Sequence, residues 1–325
     1  MNADVRNPRH RLRPTVFGTA FSTAHGHRAE RSRVRGHTTT IARDNPRVEP
    51  LIIEAAINEL ASKDDNPNVP YSLDDVVLDA VAAARAGAAI VHFHARDPLT
   101  GAQRWTDTDF YRAAFRRVRD QCDALLYPTQ PGSGIDKYPH VLALADEGLE
   151  LSTIDIFSHH TSRLDGPDCD PNIDVMEALN ARGVPFSVGV REVGHMRKIA
   201  RYRERGFLRG QLHLKIFLDE DMIGPEPDAR GLLMYLDHLR PGEPCHWFTT
   251  LYRGRADGQG FRRVSMLAAA MGGHIRTGLG DNPVLDGDGT HTNVDMVHMA
   301  VALAEAAGRD VASPDQVRAV LRRRD

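Results

Sequence analysis

Two histidines and an arginine alternate within the segment Val91-His-Phe-His-Ala-Arg-Asp-Pro98. The apolar residues before them predict a β-strand, on which His92, His94 and Arg96 would share one face. Two imidazoles and a guanidinium on a buried face are costly unless an anion or a metal joins them. Because imidazole nitrogen is a common zinc ligand, the spacing favours a metal site. The alternative is a pair of core histidines bonded to main-chain carbonyls.

A second polar group lies in the segment Gly272-Gly-His-Ile-Arg-Thr-Gly-Leu-Gly-Asp-Asn282. On a strand, Arg276 would share a face with Gly278, and Asp281 would lie in the loop just beyond. An arginine at such a place can hold a carboxylate or orient a catalytic aspartate. The alternative is an ion pair between Arg276 and Asp281 that only closes the fold.

Weaker signals of the same kind lie at two other predicted strands. The segment Thr129-Gln-Pro-Gly132-Ser-Gly combines hydroxyls with a glycine turn, whose free N–H groups suit an anion. The segment Ser152-Thr153-Ile-Asp155 places polar side chains in an apolar strand, where a hydroxyl can also bond to the main chain. Neither signal is specific when taken alone.

Eight short apolar runs that alternate with helical segments would position these residues. The runs cover 51–57, 88–95, 124–129, 151–157, 184–190, 211–218, 245–251 and 273–279. Such alternation predicts a parallel sheet, and eight units predict a (β/α)8 TIM barrel over residues 49–325. Chemistry in these barrels lies at the C-terminal ends of the strands, where the polar groups above fall. An open doubly wound sheet is the competing fold, although no Gly-x-Gly-x-x-Gly follows the first run.

Residues 1–48 differ in composition, with ten arginines against three acidic residues. They show no apolar periodicity and no apolar run for a secretory signal. This composition predicts a basic, disordered extension, or a start codon assigned too early. A transit peptide or an anion-binding arm is the alternative.

The charge and cysteine content of the whole chain exclude several classes of partner. Its 41 basic and 44 acidic residues give a net charge of −3, which argues against nucleic-acid binding by bulk electrostatics. No stretch approaches the ~20 apolar residues of a membrane helix. Three widely spaced cysteines predict a reducing, cytoplasmic compartment rather than a disulfide scaffold.

Four segments in order resemble one known family, the beta-keto acid cleavage enzymes. They are Pro50–Ile57, Asn66–Pro70, Ala86–Pro98 and Gly272–Asn282, and the resemblance runs over residues 49–323. It implies a zinc-binding (β/α)8 barrel that reacts a beta-keto acid with acetyl-CoA, giving acetoacetate and a new acyl-CoA. It also implies a homo-oligomer.

The family's two histidine zinc ligands match His92 and His94. A glutamate before the catalytic aspartate completes the family's zinc site, and Gly280 stands at that position here. A catalytic zinc normally has three protein ligands, so water, substrate, or a carboxylate from Asp155 or Asp281 would have to complete the shell. We therefore expect weaker metal binding, and a metal other than zinc is also compatible.

The resemblance also assigns the substrate-binding and catalytic residues. Thr129, Gly132 and Thr153 match the positions that hold the substrate carboxylate. Arg276 and Asp281 match the family's arginine and its aspartate base. In this scheme the metal polarises the ketone, and Asp281 removes a proton from the acidic methylene between ketone and carboxylate.

Two further departures from the family bear on the substrate. Ala61 stands where a glutamate pairs with the amino group of an aminated substrate, although Glu59 lies close by, and Gly189 stands near another acidic position. These losses predict a keto acid with a neutral or apolar chain. Two other functions stay open: a metal-dependent lyase or aldolase acting on keto acids without CoA, and a degenerate barrel that binds a ligand without catalysis.

Overall fold

The computed structural model describes residues 49–132, 134–156, 170–220, 224–240, 242–252, 258–285 and 290–321. The predicted basic extension over residues 1–48 lies outside the described residues. No helix within the described ranges combines the length and the apolar character needed to cross a bilayer.

Strands and helices alternate along the described chain. The strands are β1 (Ile53–Ala56), β2 (Ile90–Phe93), β3 (Leu125–Pro128), β4 (Ser152–Asp155), β5 (Phe186–Val190), β6 (Leu212–Asp219), β7 (Cys245–Tyr252) and β8 (His274–Thr277). The helices are α1 (Leu73–Ala86), α2 (Thr108–Arg119), α3 (Pro139–Asp146), α4 (Asn172–Arg182), α5 (Gly194–Glu204), α6 (Ala229–Leu236), α7 (Gln259–Met271), α8 (Asn293–Ala306) and α9 (Pro314–Leu321).

The eight strands form one parallel sheet in the order β3-β2-β1-β8-β7-β6-β5-β4. β1 pairs with β2 on one side and with β8 on the other, so the first and last strands are neighbours. The two ends of the order, β3 and β4, also contact each other. The sheet therefore curls into a nearly closed barrel, and the predicted (β/α)8 TIM barrel is confirmed.

Alternation along each strand separates two buried surfaces. Residues such as Ile53 and Val91 face the helices in the main hydrophobic cluster, whereas Ile52, Ile90 and Leu125 pack inside the barrel. Nearer the C-terminal ends, polar residues replace the apolar inward ones. Parallel strands bring these polar ends to one rim of the barrel.

Local signals in the sequence set where the helices begin and end. Ser72 caps α1 in a capping box with Asp75, and Gly87 ends that helix at φ 127°. Ser313 precedes Pro314 at the start of α9, and its hydroxyl accepts a hydrogen bond from the Gln316 N–H at 3.3 Å. These short-range contacts set the length of each helix that returns the chain to the next strand.

Candidate active site at the C-terminal ends of the strands

A cavity of about 230 Å³ opens at the C-terminal rim of the barrel. Five predicted site residues line it: His92, His94, Thr129, Thr153 and Arg276. Two others, Gly132 and Asp281, are not among the described residues that line this cavity. A larger cavity of about 690 Å³ lies at the opposite, N-terminal ends of β3, β5 and β6, and none of the predicted site residues lines it.

A carboxylate that the sequence analysis did not assign to the metal site joins the two histidines. Glu59 follows β1, and its Oε1 lies 2.8 Å from Nε2 of His92. Its Oε2 lies 2.8 Å from Nε2 of His94. All three side chains are buried and together offer two nitrogens and a carboxylate, the donor set of many catalytic zinc sites.

Hydrogen bonds on the far side of each imidazole determine its tautomer. Nδ1 of His92 lies 3.1 Å from the carbonyl oxygen of Tyr127, which can only accept. Nδ1 of His94 lies 3.0 Å from Oε1 of Gln103, whose amide nitrogen donates to the Glu59 carbonyl at 2.7 Å. Both rings therefore carry a proton on Nδ1 and, when neutral, a bare lone pair on Nε2.

Two bare nitrogens that face carboxylate oxygens at 2.8 Å would repel them without a cation between them. The Nε2 atom of His94 has no hydrogen-bond partner among the described residues, despite its short distance to Glu59, because the geometry of that contact is wrong for a hydrogen bond. Burial also lowers the pKa of His92, which opposes a proton at this position. The residues present therefore fit a divalent metal.

The sequence predicts two protein ligands because Gly280 replaces a glutamate, and in the structure Glu59 offers a third donor atom beside the two histidines. A Cβ atom at position 280 would lie 2.7 Å from Cγ of Glu59, so the glycine provides the space that Glu59 fills. Asp155 and Asp281 do not belong to the cluster of possible metal ligands among the described residues. Glu59 has a φ of 25°, a strained backbone angle for a residue with a side chain.

Arg276 holds the acidic groups beneath the cavity together. Its guanidinium donates to Glu54 at 2.6 Å, to Glu59, and to Asp281 at 2.8 and 3.1 Å. It also donates to the Tyr127 hydroxyl at 2.9 Å. Arg276 is only 2% exposed, so it is a buried residue that links the possible metal ligand Glu59 to Asp281.

Asp281 lies behind Arg276 and is 1% exposed. In addition to the two bonds from Arg276, Oδ2 accepts a hydrogen bond from the Thr250 hydroxyl at 2.8 Å. Burial raises the pKa of Asp281 above the usual value of 3.8, whereas Arg276 opposes that change. A carboxyl group with a raised pKa suits a general base, but this one is engaged on both oxygens.

The predicted carboxylate-binding residues lie on β4 and directly after β3. Thr129 and Thr153 are buried and line the cavity, and the Ser187 hydroxyl donates to that of Thr153 at 3.2 Å. Gly132 follows the lining residues Gln130 and Pro131, and its carbonyl accepts from the Gln130 amide at 2.7 Å. The hydroxyls of the two threonines are thus available at the cavity wall, whereas Gly132 lies outside its lining.

Asp155 and Arg191 form an ion pair at 2.9 Å in the cavity wall. Gly189 allows this arrangement, because a Cβ atom there would lie 2.1 Å from Oδ1 of Asp155. The Asp155 carboxylate therefore lies over Gly189, which stands near an acidic position of the family. Burial alone would raise the pKa of Asp155, but the nearby Arg191 guanidinium lowers it, and the net pKa lies below the usual value. The carboxylate therefore stays ionised.

A second group of histidines with a carboxylate lies at the opposite end of the barrel. Ile52 N–H donates to Nδ1 of His274 at 3.0 Å, so the neutral ring carries its proton on Nε2. That proton points to Nδ1 of His246, also 3.0 Å away, and Nε2 of His246 faces Glu49 at 3.6 Å. Hydrogen bonds therefore engage both nitrogens of His274 and Nδ1 of His246, whereas Nε2 of His94 has no such bond among the described residues.

A model of the beta-keto acid cleavage enzyme family matches residues 50–322. The chain belongs to this family. A 3-keto-5-aminohexanoate cleavage enzyme from Fusobacterium nucleatum is 30% identical over 283 residues, covering 84% of this chain and 98% of the relative. A 3-oxoadipate:acetyl-CoA acetyltransferase from Cupriavidus necator is 28% identical, covering 84% and 95%. The apo structure of ObcA has a TM-score of 0.60 at 17% identity and covers 78% of this chain and 65% of that one, which supports the fold alone.

Proposed function

We propose that this member of the beta-keto acid cleavage enzyme family reacts a beta-keto acid with acetyl-CoA, giving acetoacetate and a new acyl-CoA. The observation that carries the proposal is the convergence of two bare imidazole nitrogens and the Glu59 carboxylate on one cavity. Several relatives are named as transferases that use acetyl-CoA, including the 3-oxoadipate:acetyl-CoA acetyltransferase. In this proposal the barrel over residues 49–325 is the catalytic domain.

The proposed metal site consists of His92, His94 and Glu59, and the donor set favours zinc. A divalent metal held by these three residues would supply Lewis acidity towards the substrate ketone. Tyr127 and Gln103 fix the ring tautomers from behind, as outer partners of metal-binding histidines commonly do. Their hydrogen bonds hold the protons on Nδ1, so that in both neutral rings the Nε2 atom that faces Glu59 is unprotonated.

The hydroxyls of Thr129 and Thr153 would donate to the substrate carboxylate from the cavity wall. The N–H of Gly132 is the third donor in the proposal, and it needs the segment after β3 to turn towards the cavity. With the carboxylate held by these groups, the ketone reaches the His92–His94 side of the cavity. The methylene between the ketone and the carboxylate then faces Arg276.

Asp281 is the proposed base, and Arg276 is its positioning residue. Asp281 takes one methylene proton, and the resulting carbanion attacks the carbonyl carbon of acetyl-CoA. The CoA thiolate that leaves then attacks the substrate ketone carbon and forms the new acyl-CoA thioester, while the bond between that carbon and the former methylene carbon breaks. The acetoacetate carbanion that is released takes back the proton from Asp281. Because both Asp281 oxygens are bonded in the structure, Arg276 has to release one of them before the proton transfer.

The cavity supports the proposed neutral or apolar chain on the substrate. The carboxylates that line it among the described residues are Glu59 and Asp155, and both are engaged, with the histidines and with Arg191. A cationic chain would therefore lack a free carboxylate partner. The aromatic side chains of Trp105, Phe217 and Tyr252 provide apolar wall instead. We also propose that the protein is a homo-oligomer and is located in the cytoplasm.

The test combines metal analysis of purified protein with a panel of beta-keto acids. We expect about one equivalent of divalent metal per chain and acetoacetate only when keto acid and acetyl-CoA are both present. Turnover of a keto acid without acetyl-CoA would favour the lyase or aldolase. Absence of acetoacetate across a broad panel, with metal bound, would contradict the proposal and favour a ligand-binding barrel.

A further inference from the structure

Lys215 differs from the other cations that line the cavity. It lies on β6, is 2% exposed, and lines the cavity together with Thr153. Its ammonium group donates to the Tyr127 hydroxyl at 3.2 Å. Among the described residues, no carboxylate forms an ion pair with Lys215.

The other two cations in the cavity lining are already neutralised by carboxylates. Arg276 contacts Glu54 and Asp281, and Arg191 contacts Asp155 at 2.9 Å. Asp155 and Lys215 both pair with Gly189 of the intervening strand β5, so they lie in the same register. Oδ2 of Asp155, however, already accepts a hydrogen bond from Arg191. Lys215 is thus the cation in this lining without a bonded anion.

A buried ammonium group without an anion is costly, because it loses its hydration and gains no equivalent charge. The rings of Tyr127 and Phe217, with centroids 5.1 and 5.8 Å from Nζ, compensate only part of that loss. Burial lowers the pKa of Lys215, and the nearby acids Glu54, Asp155 and Glu59 oppose that change. A ligand carboxylate beside Nζ would restore the missing charge.

We propose that Lys215 is the charged partner of the carboxylate of the beta-keto acid and selects an acid over a neutral ketone. This inference rests on the proposed function, since it concerns the substrate of the same cavity. Thr129 and Thr153 offer hydroxyls without charge, whereas Lys215 supplies the charge that a buried carboxylate requires. The carboxylate is the group common to every member of the substrate class, so the lysine recognises the class rather than a particular chain.

The test measures binding of acetoacetate, itself a beta-keto acid, to the metal-loaded protein by calorimetry. Pentane-2,4-dione is the matched neutral ligand, because it keeps the ketone and the methylene of acetoacetate and has an uncharged acetyl group in place of the carboxylate. We expect Lys215→Met to weaken acetoacetate binding about 10- to 100-fold, as for loss of a charged hydrogen bond, and to change pentane-2,4-dione binding less than about twofold. Lys215→Arg, which keeps the charge, should recover part of the loss.

Kinetics give a second measurement if Lys215→Met folds with an unchanged melting temperature. The KM for the keto acid should rise while the KM for acetyl-CoA stays the same. Equal weakening of both ligands, unchanged acetoacetate binding, or borohydride labelling of Lys215 in the presence of keto acid would overturn the inference. A loss confined to keto acids with a second carboxylate would also overturn it, because Lys215 would then bind the distal group.

The two proposals fail in distinguishable ways. If the wild-type protein binds acetoacetate through Lys215 but makes no acetoacetate from any keto acid, the proposed reaction is wrong and the carboxylate site stands. If it catalyses the reaction and Lys215→Met leaves binding and KM unchanged, the reaction stands and the role of Lys215 is wrong. If Lys215→Met does not fold, Lys215→Gln is measured instead, because it keeps a polar side chain. The same losses are expected for it.

Discussion

Glu59 occupies space that exists only because residue 280 is a glycine. A Cβ atom at position 280 would lie 2.7 Å from both Cγ and the main-chain nitrogen of Glu59, and 2.8 Å from the carbonyl of Ala56. The two positions meet because β1 and β8 are neighbours in the barrel, with Glu54 in register with Arg276. The barrel therefore has room for the Glu59 side chain beside the histidines and none for a side chain at position 280.

Substitutions at positions 59 and 280 test whether Glu59 supplies the metal-binding carboxylate that the resemblance places at position 280. We expect Glu59→Ala to lower metal affinity more than about 100-fold, since even outer-shell losses cost 10- to 100-fold. Gly280→Glu alone should destabilise the protein, because the new side chain meets Glu59 and main-chain atoms. The double variant Glu59→Gly, Gly280→Glu should recover only part of the lost metal affinity. The glycine removes the Cγ contact and lets the main chain at residue 59 move, but a Cβ atom at position 280 still meets the Ala56 carbonyl. A double variant no better than Glu59→Ala, measured by competition with a metal-binding dye, contradicts this prediction.

Gln103 provides a test that leaves all three proposed ligands in place. Its amide donates to the Glu59 carbonyl and accepts from Nδ1 of His94, so it fixes the position of one ligand and the tautomer of another. We expect Gln103→Leu to lower metal affinity about 10- to 100-fold. Gln130→Leu, at a cavity residue that does not contact the histidines, is the matched control. Equal metal affinity in both variants would mean that Gln103 does not support the metal site.

The fold could be predicted from the sequence because it depends on periodicity and local caps. The apolar run over 88–95 contains β2, and Ser72 caps α1 as its spacing indicates. The strands are shorter than the predicted runs, since β1 covers only Ile53–Ala56. Apolar residues such as Ile57 continue past the strand into a buried loop, so burial extends further than strand pairing.

The site could be predicted only where strand periodicity or the resemblance to the family indicated its residues. Strict alternation placed His92 and His94 on one face, and parallel strands brought Arg276 to the same rim. Glu59 lies in a loop with a φ of 25°, so no periodicity indicates where its side chain points. Gln103 reaches His94 from a different loop. Its role depends on tertiary contacts that a single sequence does not contain.

The protonation of Asp281 predicts how the reaction depends on pH. A base acts as the carboxylate, so kcat/KM should rise as pH increases through the pKa of Asp281, which burial holds above 3.8. Asp281→Asn should lower kcat about 10²- to 10⁴-fold and leave the metal content unchanged. Asp155→Asn is the comparison, because that carboxylate lines the cavity. If Asp155→Asn abolishes enzyme-catalysed deuterium exchange at the substrate methylene and Asp281→Asn does not, Asp155 is the base.

Asp79 on α1 should make the protein less stable as pH rises. Oδ2 accepts from the Asn293 amide at 2.5 Å, and burial raises the pKa of Asp79 from 3.8 to about 7. Between about pH 4 and 7 the folded protein therefore binds a proton that the unfolded chain has lost, so the free energy of unfolding falls over that range, by up to about 4 kcal/mol. We expect Asp79→Asn to raise stability towards urea at pH 8 and to have a much smaller effect at pH 4.5. Asp74→Asn, an exposed position on the same helix, is the control for lost charge. An equal gain at both pH values would show that the Asp79 carboxyl does not titrate in this window.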